Sequence, residues 1–526
     1  MAPLVHVAVA SLTLVLVKTL VELLSERLRS PLENLPGPPP LSWLRGHMDQ
    51  LFHPQGWDFH LKTVAAFGTA VRLRGFLGED VLYLTDPAGL RTILTGEHGD
   101  IYEEPPMITI IEKNKLLWGP GLLSSTGMAH KKQRRVLDAN AVFSVQRMRT
   151  VMPIFWDVTR RLEDTMVNLL QCGSTELDML IWMSRVSLEL IGQAGIGVSF
   201  DTLSETSLPS EHVLTAKQLI PLSFPLQGFM RLVPSIVKIG PPKFCGFQDG
   251  IVPYPNIRKL RENNGACEGT GRDIISVLIQ QNKGADPMDK VSDDELISQT
   301  GTLIFGGHET TLVALSRILH VLSLRPKSQE RLRLEVMGAR VERRDISYDD
   351  LMKLPYLDAV CKETLRLYAP VTQLHRVPRR NSIIPLSRPV LGRDGQMIDC
   401  IQVQAGTMVV LGTAAVNRDP AIWGLDADQW VPERWLQPLP ETVVDAYLPG
   451  VLSHMMTFMG GGRSESCIGI KLAEVEIKAV LYVLLSRMKF GPSGAPITWD
   501  MHNFATPTVQ GGNKPSMPLK VTLLSG

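Results

Sequence analysis

The stretch FMGGGRSESCIGIKLAEVE, from Phe458 to Glu476, runs from a Gly-rich turn through one Arg and a short polar patch to one Cys. An apolar-periodic helix is predicted to begin straight after that Cys. Backbone N–H groups and the helix dipole stabilise negative charge at such a position, so we expect a lowered pKa for the Cys467 thiol. Cys467 is therefore a candidate metal ligand or nucleophile, and a free Cys in a glycine loop is the alternative.

The composition narrows the classes of protein that the chain fits. Its 526 residues are 44% hydrophobic and 20% charged, which is enough to bury a large core. The 54 Lys and Arg nearly balance the 53 Asp and Glu, so the charge indicates no nucleic-acid partner. The six Cys show no regular spacing and no C-x-x-C motif, which argues against a disulfide framework and a structural zinc site. We expect a reducing, cytosol-facing environment.

The N-terminal segment is predicted to be a membrane anchor, residues 1–30. The mostly apolar run Leu4–Leu24 would reach about 30 Å as a helix, one hydrocarbon thickness. No small-residue cleavage site follows it, and Arg27 and Arg29 place the body on the cytoplasmic side. An amphipathic helix lying on the membrane surface is the alternative. Residues 31–45, which include NLPGPPPLSW, are predicted to form a stiff proline hinge.

Residues 46–526 are predicted to form one large domain, mainly α with a small β region. Thr69–Asp86 alternates β-branched residues around Gly-Glu-Asp, which predicts a hairpin. Ser292–Leu324 opens with a Ser-x-x-Glu capping box and keeps helical spacing of apolar residues, which predicts a long central helix. Ile383–Thr413 is rich in turns and short strand-like runs.

Two adjacent glycines, Gly306 and Gly307, interrupt the predicted central helix within GGHETT. Each costs roughly 1 kcal/mol relative to Ala, so the missing side chains must serve a purpose. One interpretation is close packing of another helix. The other is a cavity against the helix, with Glu309 and Thr310 beside it as an acid and an alcohol able to relay protons.

Glu363 and Arg366, in CKETLRLYAP, lie three residues apart on one predicted helix face and are able to pair. An exposed helical salt bridge is the commoner explanation of such spacing and contributes little stability. The Pro- and Trp-rich loop Asn417–Trp435 carries Arg434. That Arg is a candidate to complete a buried charge cluster with the helical pair.

In this order, these motifs resemble the cytochrome P-450 superfamily of haem-thiolate monooxygenases, and particularly its membrane-anchored fungal members. The resemblance covers nearly the whole chain and includes GMAHKKQRRVL, Gly127–Leu137. It implies a single triangular, mainly helical domain and a haem cofactor. By the same resemblance, Cys467 is expected to be the axial thiolate on the haem iron. Glu309 and Thr310 match the pair that delivers protons during dioxygen activation.

Further roles follow from the resemblance alone. Arg134, Arg376 and His130 match positions that meet haem propionates, as cations should, although His130 stands where many members have Trp. In the Cys motif, Arg463 and Phe458 match haem-contacting positions. The charge cluster matches a buried structural triad that does no chemistry, with the members Glu363, Arg366 and Arg434.

The patch SES departs from the family pattern F-x-x-G-x-R-x-C-x-G by two extra residues. Counting back from Cys467 puts Glu465 in the Arg slot, where its charge would be repelled by propionates. Two residues span up to about 7 Å, so Arg463 and Cys467 keep the family geometry only if the loop bulges. The alternative is a splice-boundary error in the gene prediction within Ser464–Ser466.

The expected function is a monooxygenase that takes electrons from NADPH through a cytochrome reductase and oxidises a lipophilic small molecule. The expected location is the endoplasmic reticulum membrane, with a single pass and the body facing the cytosol. Segments around 103–120, 205–235, 301–310 and 371–376 are expected to line the pocket. One rival is an inactive membrane-attached haem or scaffold protein, caused by the insertion before Cys467. Another is a family member that uses peroxide or rearranges its substrate, which the intact acid–alcohol pair disfavours.

Overall fold

A computed structural model describes most of the chain. The described residues are 30–95, 101–104, 119–138, 142–204, 273–286, 290–340, 345–450, 452, 454–459, 466–501, 504–512 and 514–524. The predicted anchor helix, the expected pocket segment 205–235 and residues 105–118 lie outside them. Among the residues that are described, no helix is both long and apolar enough to cross a membrane.

The described part of the chain is mostly helical with small sheets, so the predicted fold class is confirmed. Its α-helices are Met48–Leu51, Trp57–Phe67, Pro87–Leu94, Gly127–Asp138, Val145–Gln171, Met179–Leu190, Ile274–Gly284, Asp293–Ser323, Pro326–Ala339, Tyr348–Met352, Pro355–Leu367, Thr413–Val416, Pro420–Trp423, Glu441–Asp445 and Ile470–Arg487. Short 3₁₀ turns are Phe76–Gly78, Leu122–Ser124 and Pro432–Leu436, and a π-turn is Ile191–Gly195.

The strands form four small sheets. They are β1 Ala70–Arg74, β2 Asp80–Leu84, β3 Tyr102–Glu103, β4 Glu176–Asp178, β5 Leu374–Pro378, β6 Ser382–Leu391, β7 Met397–Val403, β8 Met408–Leu411, β9 Met488–Pro492, β10 Ile497–Met501, β11 Ala505–Val509 and β12 Pro518–Leu523. The largest sheet has the order β1-β2-β8-β5-β3. The predicted hairpin is confirmed, because β1 and β2 are antiparallel with Ala70 opposite Leu84. The strand-rich segment is also confirmed as β6, β7 and β8.

The central helix, Asp293–Ser323, crosses the largest hydrophobic cluster of the described residues. Its predicted capping box is confirmed, since Ser292 accepts from the Glu295 N–H and the Glu295 side chain accepts from the Ser292 N–H. Satisfying these two N–H groups stabilises the first turn. The helix Ile470–Arg487, called here the C-terminal helix, packs in the same cluster and carries the segment that follows Cys467.

Part of the predicted proline hinge packs against the body. Leu32 and Leu35 are buried, and the Pro36 carbonyl accepts from the Arg72 N–H of β1 at 2.9 Å. Arg72 also pairs with Glu33 at 2.9 Å. Residues 32–36 therefore belong to the packed structure and do not act as a free spacer.

Candidate active site

The two glycines of the central helix serve different purposes. A Cβ on Gly307 would lie 2.8 Å from Ile191 Cδ1, so Gly307 allows the π-turn Ile191–Gly195 to pack closely. A Cβ on Gly306 would meet no atom of the described residues within 4 Å. The packing interpretation is therefore correct for Gly307, whereas Gly306 faces open space as the cavity interpretation predicts.

Thr310 lies one turn after Gly306. Its Oγ1 donates to the Gly306 carbonyl at 2.6 Å, and its side chain is half-buried. The hydroxyl therefore lies on the helix beside the open position, and the Gly306 carbonyl is its hydrogen-bond acceptor.

Glu309 is half-buried next to His308. One carboxylate oxygen, Oε1, lies 3.4 Å from Nδ1 of His308, and the other ring nitrogen of His308 lies 3.1 Å from Ser184 Oγ. His308 is buried. This contact holds the acid beside a titratable ring, which the sequence did not indicate.

A direct hydrogen bond joins the central helix to the C-terminal helix. Thr311 Oγ1 donates to Glu476 Oε2 at 3.1 Å, and Glu476 is completely buried. Burial raises the pKa of the Glu476 carboxyl to about 8, and the Thr311 hydrogen bond acts in the opposite direction. The acid is therefore largely protonated at neutral pH. Sequence reasoning missed this pair, although GGHETT ends on Thr311 and the Cys-containing stretch ends on Glu476.

The cysteine loop closes on itself through its backbone. The N–H of Cys467 donates to the Phe458 carbonyl at 2.9 Å, which joins the two ends of the predicted motif. The C-terminal helix begins at Ile470, three residues after the Cys, with no side-chain cap at Gly469.

The expected lowering of the Cys467 thiol pKa is wrong for the protein alone. Burial is the largest effect and raises the pKa of this thiol. The Gly469 backbone and the positive charge of Arg134 act in the opposite direction without overcoming it. A bound metal cation would act in the opposite direction to burial and favour the thiolate.

Two of the predicted haem-contacting cations are buried. Arg134, on helix Gly127–Asp138, is 7% exposed, and its Nη2 donates to Ser466 Oγ at 3.3 Å. Arg376, on β5, is 2% exposed and donates to the His375 carbonyl at 2.8 Å. His130 is half-buried on the same helix as Arg134. A guanidinium pairs with a carboxylate through two parallel hydrogen bonds, so both side chains are chemically suited to carboxylates of a bound group.

Arg463, Ser464 and Glu465 lie outside the described residues, and so does the expected bulge of the loop at the SES patch. Ser466 is described, and its contact with Arg134 was not predicted.

The Glu363–Arg366 pair is fully buried, so the exposed salt-bridge interpretation is wrong. Two nitrogens of Arg366 donate to the two carboxylate oxygens at 2.7 and 2.9 Å, and both side chains are 0% exposed. Arg434 approaches Glu363 at 3.6 Å, which completes the predicted cluster. Glu363 also accepts from the Val431 N–H and the Trp435 indole. The cluster joins the helix Pro355–Leu367 to the Trp-rich loop.

Comparison with known proteins identifies a family. The family model described as cytochrome P-450 matches residues 36–512. Cytochrome P-450 monooxygenase 91 of Postia placenta is 40% identical, and the alignment covers 94% of each chain. Ganoderic acid synthetase of Ganoderma lucidum is 38% identical over 94% of this chain and 95% of its own. A cytochrome P-450 monooxygenase of Hericium erinaceus is 34% identical over 95% of both.

Proposed function

Because this chain belongs to the cytochrome P-450 family and is a monooxygenase that uses haem, we propose that it oxidises a lipophilic small molecule beside Gly306. The main support for the proposal is the open face at Gly306, where the central helix has no side chain and the Thr310 hydroxyl lies nearby. Phe305 adjoins this position and contacts the Phe504 ring at 5.7 Å between centroids. Aromatic side chains at the edge of the open face favour an apolar substrate.

The described residues fit a haem. Cys467 offers a thiol at the end of a closed loop, Gly306 leaves space on the central helix, and Arg134 and Arg376 offer buried positive charge. We propose Cys467 as the iron ligand and the two arginines as partners of the propionates. Arg463, Phe458 and His130 complete the proposed haem contacts. When bound, haem supplies the activation of dioxygen.

Thr310 and Glu309 are the proposed proton-handling residues. Thr310 holds its hydroxyl proton on the Gly306 carbonyl, from which it is able to turn toward the open face and donate there. Glu309 lies beside His308 and replaces the proton that Thr310 gives up. One oxygen atom enters the substrate and the other leaves as water, and NADPH supplies two electrons.

The electrons are proposed to come from NADPH through a cytochrome reductase, with the enzyme anchored in the endoplasmic reticulum membrane by residues 1–30. The support is the apolar run Leu4–Leu24, followed by Arg27 and Arg29. The division into this anchor, the segment 31–45 and the body 46–526 stays a prediction. Since Leu32 and Leu35 are buried, a truncation that keeps the body intact must end before Leu32, which allows removal of residues 1–30.

The absorption spectrum of the reduced protein with carbon monoxide tests this function. We expect the red-shifted band of a thiolate-ligated haem in the full chain, and its loss in Cys467→Ser. Cys361→Ser, at a buried Cys on the helix Pro355–Leu367, is the matched control and should keep the band. A full chain that binds haem without this band, or binds none, would support the inactive haem or scaffold protein instead.

A further inference from the structure

Arg317 carries a buried guanidinium without a carboxylate partner. It lies on the central helix, seven residues after Thr310, and is 8% exposed. Within the described part of the chain it makes no hydrogen bond and no ion pair. Its Cζ lies 4.3 Å from the ring centre of Tyr368 and 3.6 Å from that of Trp499. Aromatic rings therefore replace the acceptors that a buried Arg normally has.

The rings leave the hydrogen-bonding capacity of Arg317 unused. The N–H groups of a guanidinium point outward in its plane, so rings against the group satisfy none of them. Nε is enclosed and has no acceptor among the described residues. Of the three side-chain nitrogens only Nε is fully enclosed, so Nη1 and Nη2 keep a small solvent contact from which an acceptor would approach.

A second cation increases the local positive charge. Arg418 lies 5.1 Å from the same Tyr368 ring and 5.4 Å from the Trp57 ring, and its Nε donates to the Leu367 carbonyl at 3.0 Å. Burial lowers the pKa of Arg317 to about 9, and Arg418 contributes to that shift. Asp428 acts on Arg418. The cluster therefore holds two guanidinium groups beside one aromatic ring with an incomplete set of negative charges.

The neighbouring polar groups of Trp499 are already paired. Its indole N–H donates to His320 Nδ1 at 2.9 Å, and its carbonyl accepts from the Trp57 indole at 3.3 Å. Burial lowers the pKa of His320 to about 4, with help from Arg317, so this ring is neutral at pH 7. The indole and carbonyl of Trp499 are therefore engaged, whereas the Arg317 side chain has no hydrogen-bond partner among the described residues.

We propose that Arg317, between Tyr368 and Trp499, is a binding site for a small carboxylate. A carboxylate is flat and places two oxygens in the guanidinium plane, so it pairs with two N–H groups at once. A flat anion is also able to lie in the guanidinium plane, alongside the two aromatic rings that contact Arg317. The site lies about 10 Å along the helix from Thr310 and shares no residue with the proposed haem contacts.

Thermal unfolding of the full-length holoprotein in detergent micelles tests this site. Acetate is the probe and acetamide is its neutral isostere, at constant ionic strength and pH 7. A ligand that binds only the native state raises the unfolding temperature in a saturable way. We expect such a rise with acetate, with at least a tenfold weaker apparent affinity in Arg317→Gln and no change in Arg149→Gln. Arg149 is the matched control because it lies over the Tyr348 ring but pairs with Asp349.

An equal effect of acetate and acetamide would overturn the proposal, as would an equal acetate affinity in wild type and Arg317→Gln. If Arg317→Gln does not fold, saturation-transfer NMR on wild type provides the decision. Saturation transfer from the protein to the acetate methyl group that disappears when formate is added supports the site. The absence of such formate-sensitive transfer refutes it. Neither measurement depends on monooxygenase turnover.

Discussion

Arg134 donates from Nη2 to the hydroxyl of Ser466, the residue immediately before Cys467, at 3.3 Å. The polar patch that breaks the family pattern therefore contacts a cation proposed to bind haem. The contact also explains how the charge of Arg134 acts on the Cys467 thiol.

Shortening the polar patch should improve haem retention. Removing Glu465 with Ser466, or Ser464 with Glu465, gives the same sequence, in which one Ser still precedes the Cys. The product keeps a hydroxyl for Arg134 and brings Arg463 to two residues before the Cys, as in the family pattern. We expect tighter haem binding and a stronger carbon monoxide band, measured by haem titration. Ser466→Ala in the full-length loop should weaken haem binding by about 0.5–1.5 kcal/mol, the usual contribution of one hydrogen bond. Equal haem affinity of the shortened and full-length proteins would show that the loop absorbs the insertion.

Thr310→Ala should uncouple electron use from product formation. The variant loses the hydroxyl that donates to Gly306 but keeps the Cys loop, so haem binding and the carbon monoxide band should persist. Product formed per NADPH consumed should fall by about a hundredfold, the lower end of what a positioned general acid contributes. Thr310→Ser, which keeps the hydroxyl, should stay near the wild-type ratio. Unchanged coupling in Thr310→Ala would mean that another group supplies the proton.

The adjacent glycines offer a matched pair of substitutions. Gly307→Ala should destabilise the protein by about 1–3 kcal/mol, because the new methyl group overlaps Ile191. Gly306→Ala meets no atom and should gain up to about 1 kcal/mol of helix stability. It should nevertheless reduce turnover, since the methyl group fills the open face. Unfolding temperatures and product rates of the two variants check both statements, and equal destabilisation would contradict the assignment.

Arg366→Ala should prevent accumulation of folded holoprotein. It leaves Glu363 buried without its bidentate partner, which costs about 3–5 kcal/mol. Arg331→Ala is the control, because its pair with Glu433 is half exposed on both sides and contributes at most about 1 kcal/mol. Soluble yield and haem content of the purified variants measure the difference. A well-folded Arg366→Ala protein would contradict the structural role of the pair.

Glu476→Gln should make stability less dependent on pH. The folded pKa of about 8 lies above the usual 4.5, so the native state retains a proton that the unfolded chain has lost. Wild type is therefore most stable below about pH 4.5 with respect to this group, and it loses stability as the pH rises toward 8. Relative to Glu476→Gln, the loss between pH 5.5 and 8 should be on the order of 3 kcal/mol. Unfolding temperatures at pH 5.5 and 8 measure it, with Glu433→Gln as an exposed control. A pH-independent difference between wild type and Glu476→Gln would mean that the carboxyl is ionised in the native state.

Local signals in the sequence were sufficient for several elements. The capping box fixed the start of the central helix, because Ser292 and Glu295 are only three residues apart and satisfy each other. The β1–β2 hairpin followed from alternation around a turn. The spacing of Glu363 and Arg366 predicted that the two side chains are able to pair. It did not establish their burial, because the burial depends on a distant loop.

Long-range contacts explain what sequence reasoning missed. The partner of Gly307 is Ile191, on a π-turn more than a hundred residues earlier. The pKa of Cys467 was assigned the wrong direction because desolvation depends on tertiary packing, whereas the helix-terminus argument is local. The ring contact of Arg317 with Trp499 likewise joins residues that no spacing rule relates.

The hydrogen bonds of Arg366 also constrain the order of events during synthesis. Its guanidinium donates to the carbonyls of Asn417, Ala427 and Gln429, which follow it by 51, 61 and 63 residues. Until these carbonyls have left the ribosome, Arg366 has Glu363 of its own helix as a partner but lacks the three acceptors that complete its hydrogen bonds. Its docking into the core is therefore a late, non-local event, which slows folding and leaves an apolar helix face exposed meanwhile. Substitutions in the Trp-rich loop should consequently act on the yield of nascent chains, through chaperone dependence and degradation, before they act on the finished enzyme.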